Sequence, residues 1–427
     1  MKRFVTAPLV LAPLFLLVGI AGTLAFLSLA PPPHELERAV ETAMAADSAE
    51  FIRSMDGLYG ADLSDGNAIT TLENGDEIFP AMLEAIAGAR ETITFETYVY
   101  WSGEIGIMFA EALSERARAG VEVKVLLDWQ GSVPMESELV DQMRAAGATV
   151  ERFRPIHWYT LDKFNNRTHR KLMIVDGSIA FTGGVGIADE WTGDAQTPDQ
   201  FRDTHYRIEG PAVASMQGAF AFNWVEATGE TLQGTPYFPE REDAGDILAQ
   251  LVYSHAGSRN VMHLMQMTAI AAARDHIRIA TPYFIPDEIA IAQLVDARRR
   301  GVEIDILLPG QHTNKKIVSS ASRHFWGDLM EAGVRFFAYE PTMYHGKLVV
   351  IDDSWASIGS ANFDERSFRL NDEANLTVFD EAFAAEQIAM FERDLSQSRE
   401  ISLQEWQSRP FGQKVVDWLW SHLRVQL

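Results

Sequence analysis

The sequence predicts an α/β fold built from two similar halves, and two observations support this prediction. First, the spacing of residues 168–177 recurs at 344–353: in each stretch a His is followed two residues later by a Lys, and five residues after that by an Asp. Second, the strands and helices expected upstream of the two stretches come in the same order. Strands that alternate with helices favour largely parallel sheets, and two related halves suggest a pseudo-dimer with one site at the seam.

Each copy of the motif runs into a short apolar segment that is typical of a buried strand. These segments are Leu172–Val175 and Leu348–Ile351. Because side chains alternate along a strand, a His and a Lys two residues apart lie on one face. Seven residues after each Asp comes a turn of small residues, 183–186 and 359–362, which suits close approach of the backbone to a ligand.

The elements upstream of the motif are predicted from apolar periodicity and from the glycines between them. In the first half we expect helices at 78–90, 105–119 and 135–146, and strands at 93–100 and 121–127. In the second half we expect a strand at 277–285, a helix at 288–300, a strand that starts after Gly301 and a helix at 325–332.

The chain begins with an apolar segment that is long enough to cross a membrane. Residues 4–30 carry no charge and follow Lys2 and Arg3. At about 1.5 Å per helical residue, such a segment spans a hydrocarbon core of about 30 Å. A cleaved signal peptide is the alternative, although its apolar core usually has only about 7 to 15 residues. We expect an uncleaved single-pass anchor at 1–33, with Lys2 and Arg3 in the cytoplasm and the remaining chain on the other side of the membrane.

Three further segments follow this predicted anchor. We expect a linker with helical pieces at 34–71, a first half at 72–235 and a second half at 236–427.

Composition narrows the classes of function. The absence of cysteine excludes disulfides, thiolate catalysis and cysteine metal sites. The formal charge of −24 at pH 7 disfavours a large nucleic-acid surface, because phosphate binding relies on clustered Lys and Arg. No Asp, Glu and His spacing is typical of a metal site, so we expect neither a metal nor another cofactor.

The paired motifs can carry out phosphodiester chemistry. Cleavage needs a nucleophile, positive charge for the phosphoryl oxygens and a proton for the leaving alkoxide. One of His169 and His345 can attack while the other donates the proton, and Lys171 and Lys347 supply the charge. The motif also makes Asp176 and Asp352 catalytic candidates. Each lies an odd number of residues after its Lys, so its side chain should point to the opposite face of the strand, which favours a role in ordering the site.

Four other polar residues are candidates for a supporting role. Asp203 and Glu373 lie at similar distances beyond the two motifs. A reacting histidine is commonly held in one tautomer by a carboxylate, and solvated loop acids are the alternative interpretation. Ser360 and Asn362 could donate hydrogen bonds to a phosphoryl group.

The two motifs resemble the His-x-Lys-x4-Asp motifs of the phospholipase D superfamily. The surrounding sequence is more narrowly similar to that of bacterial cardiolipin synthases, in the stretches 166–171, 201–205, 281–286 and 359–368. The resemblance covers residues 72–409 and implies a bilobal, pseudo-twofold fold with orienting acids at Asp203 and Glu373. One departure is Gly186, where the family often has Asn, so the polar contact of the first half is in question.

The resemblance implies a phosphatidyltransferase that joins two phosphatidylglycerols into cardiolipin and releases glycerol. In this scheme His169 becomes a phosphohistidine and His345 is the acid and base, although the similarity of the halves leaves the reverse assignment open. A phospholipase D that uses water is the alternative, since the same residues serve either acceptor. A nuclease and an inert membrane-tethered scaffold are less favoured, and the sequence does not identify the oligomeric state.

An apolar, Trp-rich stripe lies near the C-terminus at helical spacing. Its members are Val415, Val416, Trp418, Leu419, Trp420 and Leu423. Such a stripe can enter a membrane interface or pack on the domain, and packing is the commoner use.

Overall fold

The computed structural model describes residues 19, 36, 38–59, 63–156, 165–255 and 260–427. These residues form an α/β fold. Its strands are β1 (Ser64–Glu73), β2 (Thr92–Thr97), β3 (Glu122–Asp128), β4 (Thr149–Phe153), β5 (Leu172–Val175), β6 (Ile179–Gly183), β7 (Phe201–Arg202), β8 (Thr204–Glu209), β9 (Ile247–Tyr253), β10 (His276–Ala280), β11 (Phe284–Ile285), β12 (Glu303–Pro309), β13 (Arg335–Tyr339), β14 (Met343–Tyr344), β15 (Leu348–Ile351), β16 (Trp355–Gly359), β17 (Phe363–Asp364), β18 (Ala374–Phe379) and β19 (Ser398–Ile401).

The same residues also form a series of α-helices before, between and after the strands. They are α1 (Ala49–Tyr59), α2 (Asn74–Gly88), α3 (Glu104–Arg118), α4 (Ser137–Ala145), α5 (Ala212–Thr228), α6 (Val261–Ala272), α7 (Glu288–Arg299), α8 (Lys316–His324), α9 (Trp326–Glu331), α10 (Glu365–Arg369), α11 (Glu381–Ser396), α12 (Leu403–Gln407) and α13 (Phe411–Ser421). The helices and strands predicted upstream of both motifs are present, with ends that differ by a few residues. The exception is the strand predicted at 277–285, which is interrupted and forms β10 and β11 in two different sheets.

Fifteen strands form one large mixed sheet. Their order is β19-β13-β12-β10-β15-β16-β18-β9-β1-β8-β6-β5-β2-β3-β4. Outward from the centre, β9-β18-β16-β15-β10-β12-β13 repeats β1-β8-β6-β5-β2-β3-β4, and the chain passes through both sets in the same order. The motif strands β5 and β15 therefore occupy equivalent places.

The prediction of largely parallel sheets is wrong. Parallel pairing occurs within β2-β3-β4 and within β10-β12-β13. Both motif strands pair antiparallel with their two neighbours, β5 with β2 and β6, and β15 with β10 and β16. The short connection after each motif strand explains its pairing with β6 or β16, because a few residues can close an antiparallel hairpin but cannot make a parallel crossover.

Both motif strands have the predicted bounds, and their surroundings explain why the sequence revealed them. Alternate residues Leu172, Ile174, Leu348 and Val350 belong to one core that both sets of strands share. The residues between them pack into two separate cores on the opposite face of the sheet. Burial on both faces makes such a strand continuously apolar.

Strand β1 was not predicted, although it lies at the centre of the sheet. Residues 64–71, which we placed in the predicted linker, form most of it, and it pairs antiparallel with both β8 and β9. The strand includes Asp65, Gly66 and Asn67 and shows no regular apolar alternation, so the usual sequence pattern of a strand is missing.

The predicted anchor at 1–33 lies outside the described residues, apart from Gly19. Within the part of the chain that the structure describes, no helix combines the length and the apolar character needed to span a membrane. The anchor stays a prediction.

Candidate active site

Each motif histidine is held by a carboxylate from the other half of the chain. The Nδ1 of His169 lies 3.0 Å from both carboxylate oxygens of Glu373, and the Nδ1 of His345 lies 2.7 Å from Oδ2 of Asp203. A neutral histidine that donates its Nδ1 proton to a carboxylate keeps the lone pair of Nε2 free to react. The geometry therefore places both histidines in the tautomer that an attacking or proton-accepting group needs.

Backbone hydrogen bonds hold the two halves together at the same place. The N–H of His169 donates to the carbonyl of Asp372 at 2.8 Å, and the N–H of His345 donates to the carbonyl of Arg202 at 2.7 Å. Asp372 and Arg202 each directly precede the acid that holds the same histidine. The short strands β7 and β14 also pair in parallel here. The crossed arrangement is therefore fixed by the backbone as well as by the side chains.

The two lysines lie beside the histidines and are buried. The Nζ of Lys171 donates to the carbonyl of His169 at 2.9 Å, and the Nζ of Lys347 donates to the carbonyl of His345 at 2.8 Å. Burial lowers the pKa of Lys171 to about 7, helped by the charge of Lys347, and lowers the pKa of Lys347 to about 8. Lys347 also lowers the pKa of His169, and Lys171 lowers the pKa of His345, so the two motifs contribute to one site.

Both histidines are neutral at neutral pH. Burial lowers the pKa of His169 to about 4 and that of His345 to about 3, against the opposing pull of Glu373 and Asp203. Burial alone would raise the pKa of each carboxyl, but the neighbouring histidine and lysine outweigh it and lower the pKa. The site therefore combines two neutral imidazoles with two ionised carboxylates.

Glu373 is held by three uncharged donors in addition to His169. The hydroxyls of Ser360 and Ser367 donate to it at 2.6 and 2.8 Å, and the Nδ2 of Asn371 donates at 3.2 Å. The hydroxyl proton of Ser360, which we predicted to contact a phosphoryl group, is thus directed at Glu373. Sequence analysis missed Ser367 and Asn371, although Ser367 lies in the stretch 359–368 that carries the family resemblance.

Asn362 is buried close by and has a different partner. Its backbone N–H donates to the hydroxyl of Ser367 at 3.1 Å. Contact of its side chain with a phosphoryl group stays a prediction.

Asp203 is held differently, by the indole Nε1 of Trp191, which donates to Oδ2 at 2.7 Å. A Cβ added at Gly184 would lie 2.0 Å from Oδ1 of Asp203, and one at Gly186 would lie 2.7 Å from Val99 and 3.4 Å from the Trp191 ring. These two glycines replace the polar residues of the second half because Asp203 fills the space beside Gly184 and Val99 fills the space beside Gly186. No pattern in the sequence around Trp191 indicated this role.

The aspartates that end the two motifs bind backbone amides. Asp176 accepts hydrogen bonds of 2.8–3.2 Å from the N–H groups of residues 90–92, and Asp352 accepts bonds of 2.8–3.3 Å from those of residues 274–276. Both have left-handed backbone, with φ of 50° and 51°. These contacts tie the turn after each motif strand to the start of the neighbouring strand.

Comparison with known proteins identifies the family. Residues 82–195 and 267–395, more than half of the chain, match the family described as "Cardiolipin synthase, PLD-like domain", and each matched segment contains one motif. The chain belongs to the cardiolipin synthase family. The resemblance inferred from the motifs is confirmed, and the chain is an enzyme of phospholipase D type.

Individual relatives agree with this assignment. Cardiolipin synthase A of Pseudomonas syringae is 36% identical over 373 residues, which cover 86% of this chain and 77% of the relative. Cardiolipin synthase 2 of Bacillus anthracis is 34% identical over 372 residues, which cover 86% of this chain and 72% of the relative. A crystal structure of phosphatidylserine synthase from Haemophilus influenzae shares the fold, with a TM-score of 0.66 and 14% identity over 89% of this chain and 100% of that one.

The crowding at Gly184 leads to a prediction for this cardiolipin synthase family member. We expect Gly184→Ser, which copies Ser360 of the second half, to lower turnover by about a hundredfold, because the new Cβ displaces Asp203 from His345. Gly218→Ser is the matched control, since no atom lies within 4 Å of a Cβ added there. Measured kcat values for the two variants decide, and normal turnover in Gly184→Ser would contradict the predicted overlap.

The amide contacts of Asp176 predict a loss of stability rather than of activity. Asn tolerates the left-handed backbone but loses the charge, so we expect Asp176→Asn to lower the free energy of unfolding by about 1–2 kcal/mol. Asp352→Asn should behave in the same way. Thermal unfolding and turnover are measured on one preparation, and a large loss of kcat at unchanged stability would instead make Asp176 a catalytic residue.

Proposed function

We propose that this protein condenses two phosphatidylglycerols into cardiolipin and glycerol through a phosphohistidine. The observation that carries the proposal is the crossed pair of histidines, each with a carboxylate on Nδ1 and a lysine beside it, in one buried site. Membership of the cardiolipin synthase family supports phosphatidylglycerol as the substrate.

In the proposed first step, Nε2 of His169 attacks the phosphorus of one phosphatidylglycerol. The bond between phosphorus and the glycerol oxygen breaks, and His345 donates the proton that this oxygen needs. Lys171 and Lys347 hold the charge of the non-bridging oxygens. His345 takes up this proton on Nε2 from solvent when the substrate binds, because the negative charge of the phosphodiester raises the pKa of the histidine.

In the second step, the phosphatidyl group passes to an alcohol. His345 takes the proton of a glycerol hydroxyl on a second phosphatidylglycerol, and this oxygen attacks the phosphorus. The bond from phosphorus to Nε2 breaks, cardiolipin forms and His169 returns to its starting state. Glu373 and Asp203 keep the two histidines oriented throughout.

The decisive experiment is incubation of the purified, detergent-solubilised protein with phosphatidylglycerol alone, with His345→Ala as the control. Mass spectrometry of the lipids should show cardiolipin together with free glycerol, and neither should form with the variant. Phosphatidic acid in place of cardiolipin would make water the acceptor and the protein a phospholipase D. No product with any phospholipid would overturn the proposal.

We also propose that residues 1–33 anchor the enzyme in the bacterial inner membrane, with the site on the periplasmic or outer side. The uncharged segment 4–30 after Lys2 and Arg3 supports this orientation. Digestion of intact spheroplasts by an added protease tests it: loss of the C-terminal part is expected, and full protection would reverse the orientation.

The pKa values of the lysines predict how activity depends on pH. The charged forms of Lys171 and Lys347 bind the phosphodiester, so kcat/KM should fall as pH rises through about 7 and then about 8, where these groups lose their protons. On the acid side the neutral form of the attacking His169 is lost only near its pKa of about 4. Initial rates from pH 5 to pH 9 measure the profile, and a flat profile up to pH 9 would contradict it. In Lys171→Arg the first alkaline step should disappear, because arginine keeps its proton.

A further inference from the structure

The C-terminal helix α13 turns its apolar side toward solvent. Phe411 is 82% exposed, Leu419 54% and Trp418 50%, whereas the polar residues Asp417 and Ser421 are buried. A surface helix normally has the opposite arrangement, with its apolar stripe against the core. Packing on the domain, the commoner use of such a stripe, is therefore not what most of this stripe does.

Specific contacts hold the helix in this orientation. Buried Asp417 accepts hydrogen bonds from Arg323 on α8 and from Arg409, both at 3.1 Å. Trp420, the half-buried member of the stripe, packs against a small cluster that contains Val318 and Ala321 of α8. The ion pairs and this one anchoring ring leave the other apolar side chains pointing outward.

The exposed lysines of the described residues lie at the same place. The described part of the chain contains six lysines, three of which are buried. The three exposed ones lie on α13 or at the start of the adjacent helix α8: Lys315, Lys316 and Lys414. Ile317, which is 44% exposed, extends the apolar surface beside them. In a chain with a formal charge of −24, this local excess of lysine is a complementary surface for an anionic partner.

This surface adjoins the active site. Tyr283 packs with the same small cluster as Trp420, and its ring centroid lies 6.4 Å from that of His345. The segment after α13 also lies close to the chain that leads into the first motif, because the carbonyl of Gln426 accepts a hydrogen bond of 3.2 Å from Arg366, which itself donates to the carbonyl of Asn165 at 2.7 Å. Asn165 lies just before the first motif.

We propose that the exposed apolar residues of α13, together with Ile317 and the three exposed lysines, form a docking surface for a bilayer that contains anionic phospholipid. The apolar side chains enter the interface, where Trp is favoured, and each lysine strengthens binding to an anionic surface by about fivefold. Docking places the active site at the level of the lipid headgroups and offsets the repulsion between the acidic body and an anionic membrane. This inference rests on the proposed function, since it supplies the enzyme with a phospholipid substrate.

Single-cysteine labelling tests the proposal directly, because the chain has no cysteine of its own. The full chain with Leu419→Cys, carrying an environment-sensitive fluorophore, is reconstituted into vesicles of phosphatidylcholine with phosphatidylglycerol. Leu58→Cys is the matched control, since Leu58 on α1 is also 54% exposed. We expect blue-shifted emission at position 419 and several-fold stronger quenching there by a lipid-borne nitroxide than at position 58.

Three outcomes are decisive. Equal and weak quenching at the two positions would overturn the docking surface. Blue-shifted emission at 419 without quenching by lipid would mean that protein covers the stripe, either a second copy or the N-terminal segment of the same chain, and would also overturn it. Replacement of the three exposed lysines by Gln should reduce quenching on vesicles with phosphatidylglycerol but not on pure phosphatidylcholine, and equal effects on both would remove the anionic lipid from the proposal.

The fluorescence measurement does not depend on turnover, so failure of the docking surface can be distinguished from failure of the proposed function. Quenching at 419 in a protein that makes no cardiolipin would overturn the proposed function and leave the docking surface. Cardiolipin synthesis without quenching at 419 would do the reverse. Phe411→Ser combined with Leu419→Ser should slow turnover on vesicles by about tenfold and leave the rate on monomeric short-chain phosphatidylglycerol unchanged.

Discussion

Replacement of His169 by Ala is expected to lower the turnover of phosphatidylglycerol by about four orders of magnitude, and replacement of His345 by Ala by a similar factor. One variant lacks the group that attacks phosphorus and the other lacks the group that moves the proton. The carboxylates and lysines that remain cannot take over either task. Product formation over long incubations, followed by mass spectrometry, measures the residual rate.

A matched control for these variants is His276→Ala. His276 also pairs with a carboxylate, because its Nε2 lies 3.0 Å from Oδ2 of Asp305, but it lies outside both motifs. Its loss should leave kcat near the parent value. The double variant lacking both His169 and His345 should be no slower than either single variant, since residues that act as one unit are not additive. Substantial activity in His169→Ala, or additive losses in the double variant, would refute a reaction that passes through both histidines.

The sequence was informative where burial imposes one pattern on the residues. Strands β5 and β15 are covered on both faces, so each appears as an unbroken apolar run with clear ends. Strand β1 pairs on both sides yet has a mixed polar sequence, because pairing is made by the backbone and leaves no mark on the side chains. The direction of the strands was misjudged because parallel pairing was inferred from the alternation of strands with helices. Each motif strand is instead joined to the next strand by a few residues with no helix between them, and so short a connection closes an antiparallel pair.

The sequence likewise predicted only part of the candidate active site. The repeated spacing made His169, Lys171, His345 and Lys347 candidates, because local strand geometry alone places each His and Lys together. The crossing of Glu373 to His169 and of Asp203 to His345 depends on the packing of the two halves, which spacing along the chain does not determine.

The exposed stripe of α13 is a third case of this kind. Periodicity indicated an amphipathic helix, but the outward side was decided by the ion pairs of Asp417 with Arg323 and Arg409. These partners come from separate segments of the chain. A charged residue inside a helical pattern normally lies on the solvent side of the helix. Asp417 is instead buried against its two arginine partners, so the apolar side of the helix faces solvent.

Because the two halves are nearly symmetric, the structure does not distinguish which histidine attacks phosphorus. A substrate with an activated leaving group can distinguish them. A phosphatidyl ester of p-nitrophenol has a leaving group that needs no proton at neutral pH, so attack on it requires the nucleophile but not the acid. If His169 attacks, His345→Ala should release about one equivalent of p-nitrophenolate in a burst and then stop, because the base for the second step is missing. His169→Ala should release none.

The adduct formed in that burst identifies the residue independently. Rapid denaturation at high pH, where phosphohistidine survives, followed by peptide mapping should place the phosphatidyl group on His169 in the His345→Ala variant. A burst from His169→Ala, with the adduct on His345, would reverse the assignment while keeping the two-step reaction. Neither variant giving a burst would exclude a covalent intermediate on either histidine, since the leaving group has removed the need for an acid, and the acceptor would then have to attack the phosphodiester directly.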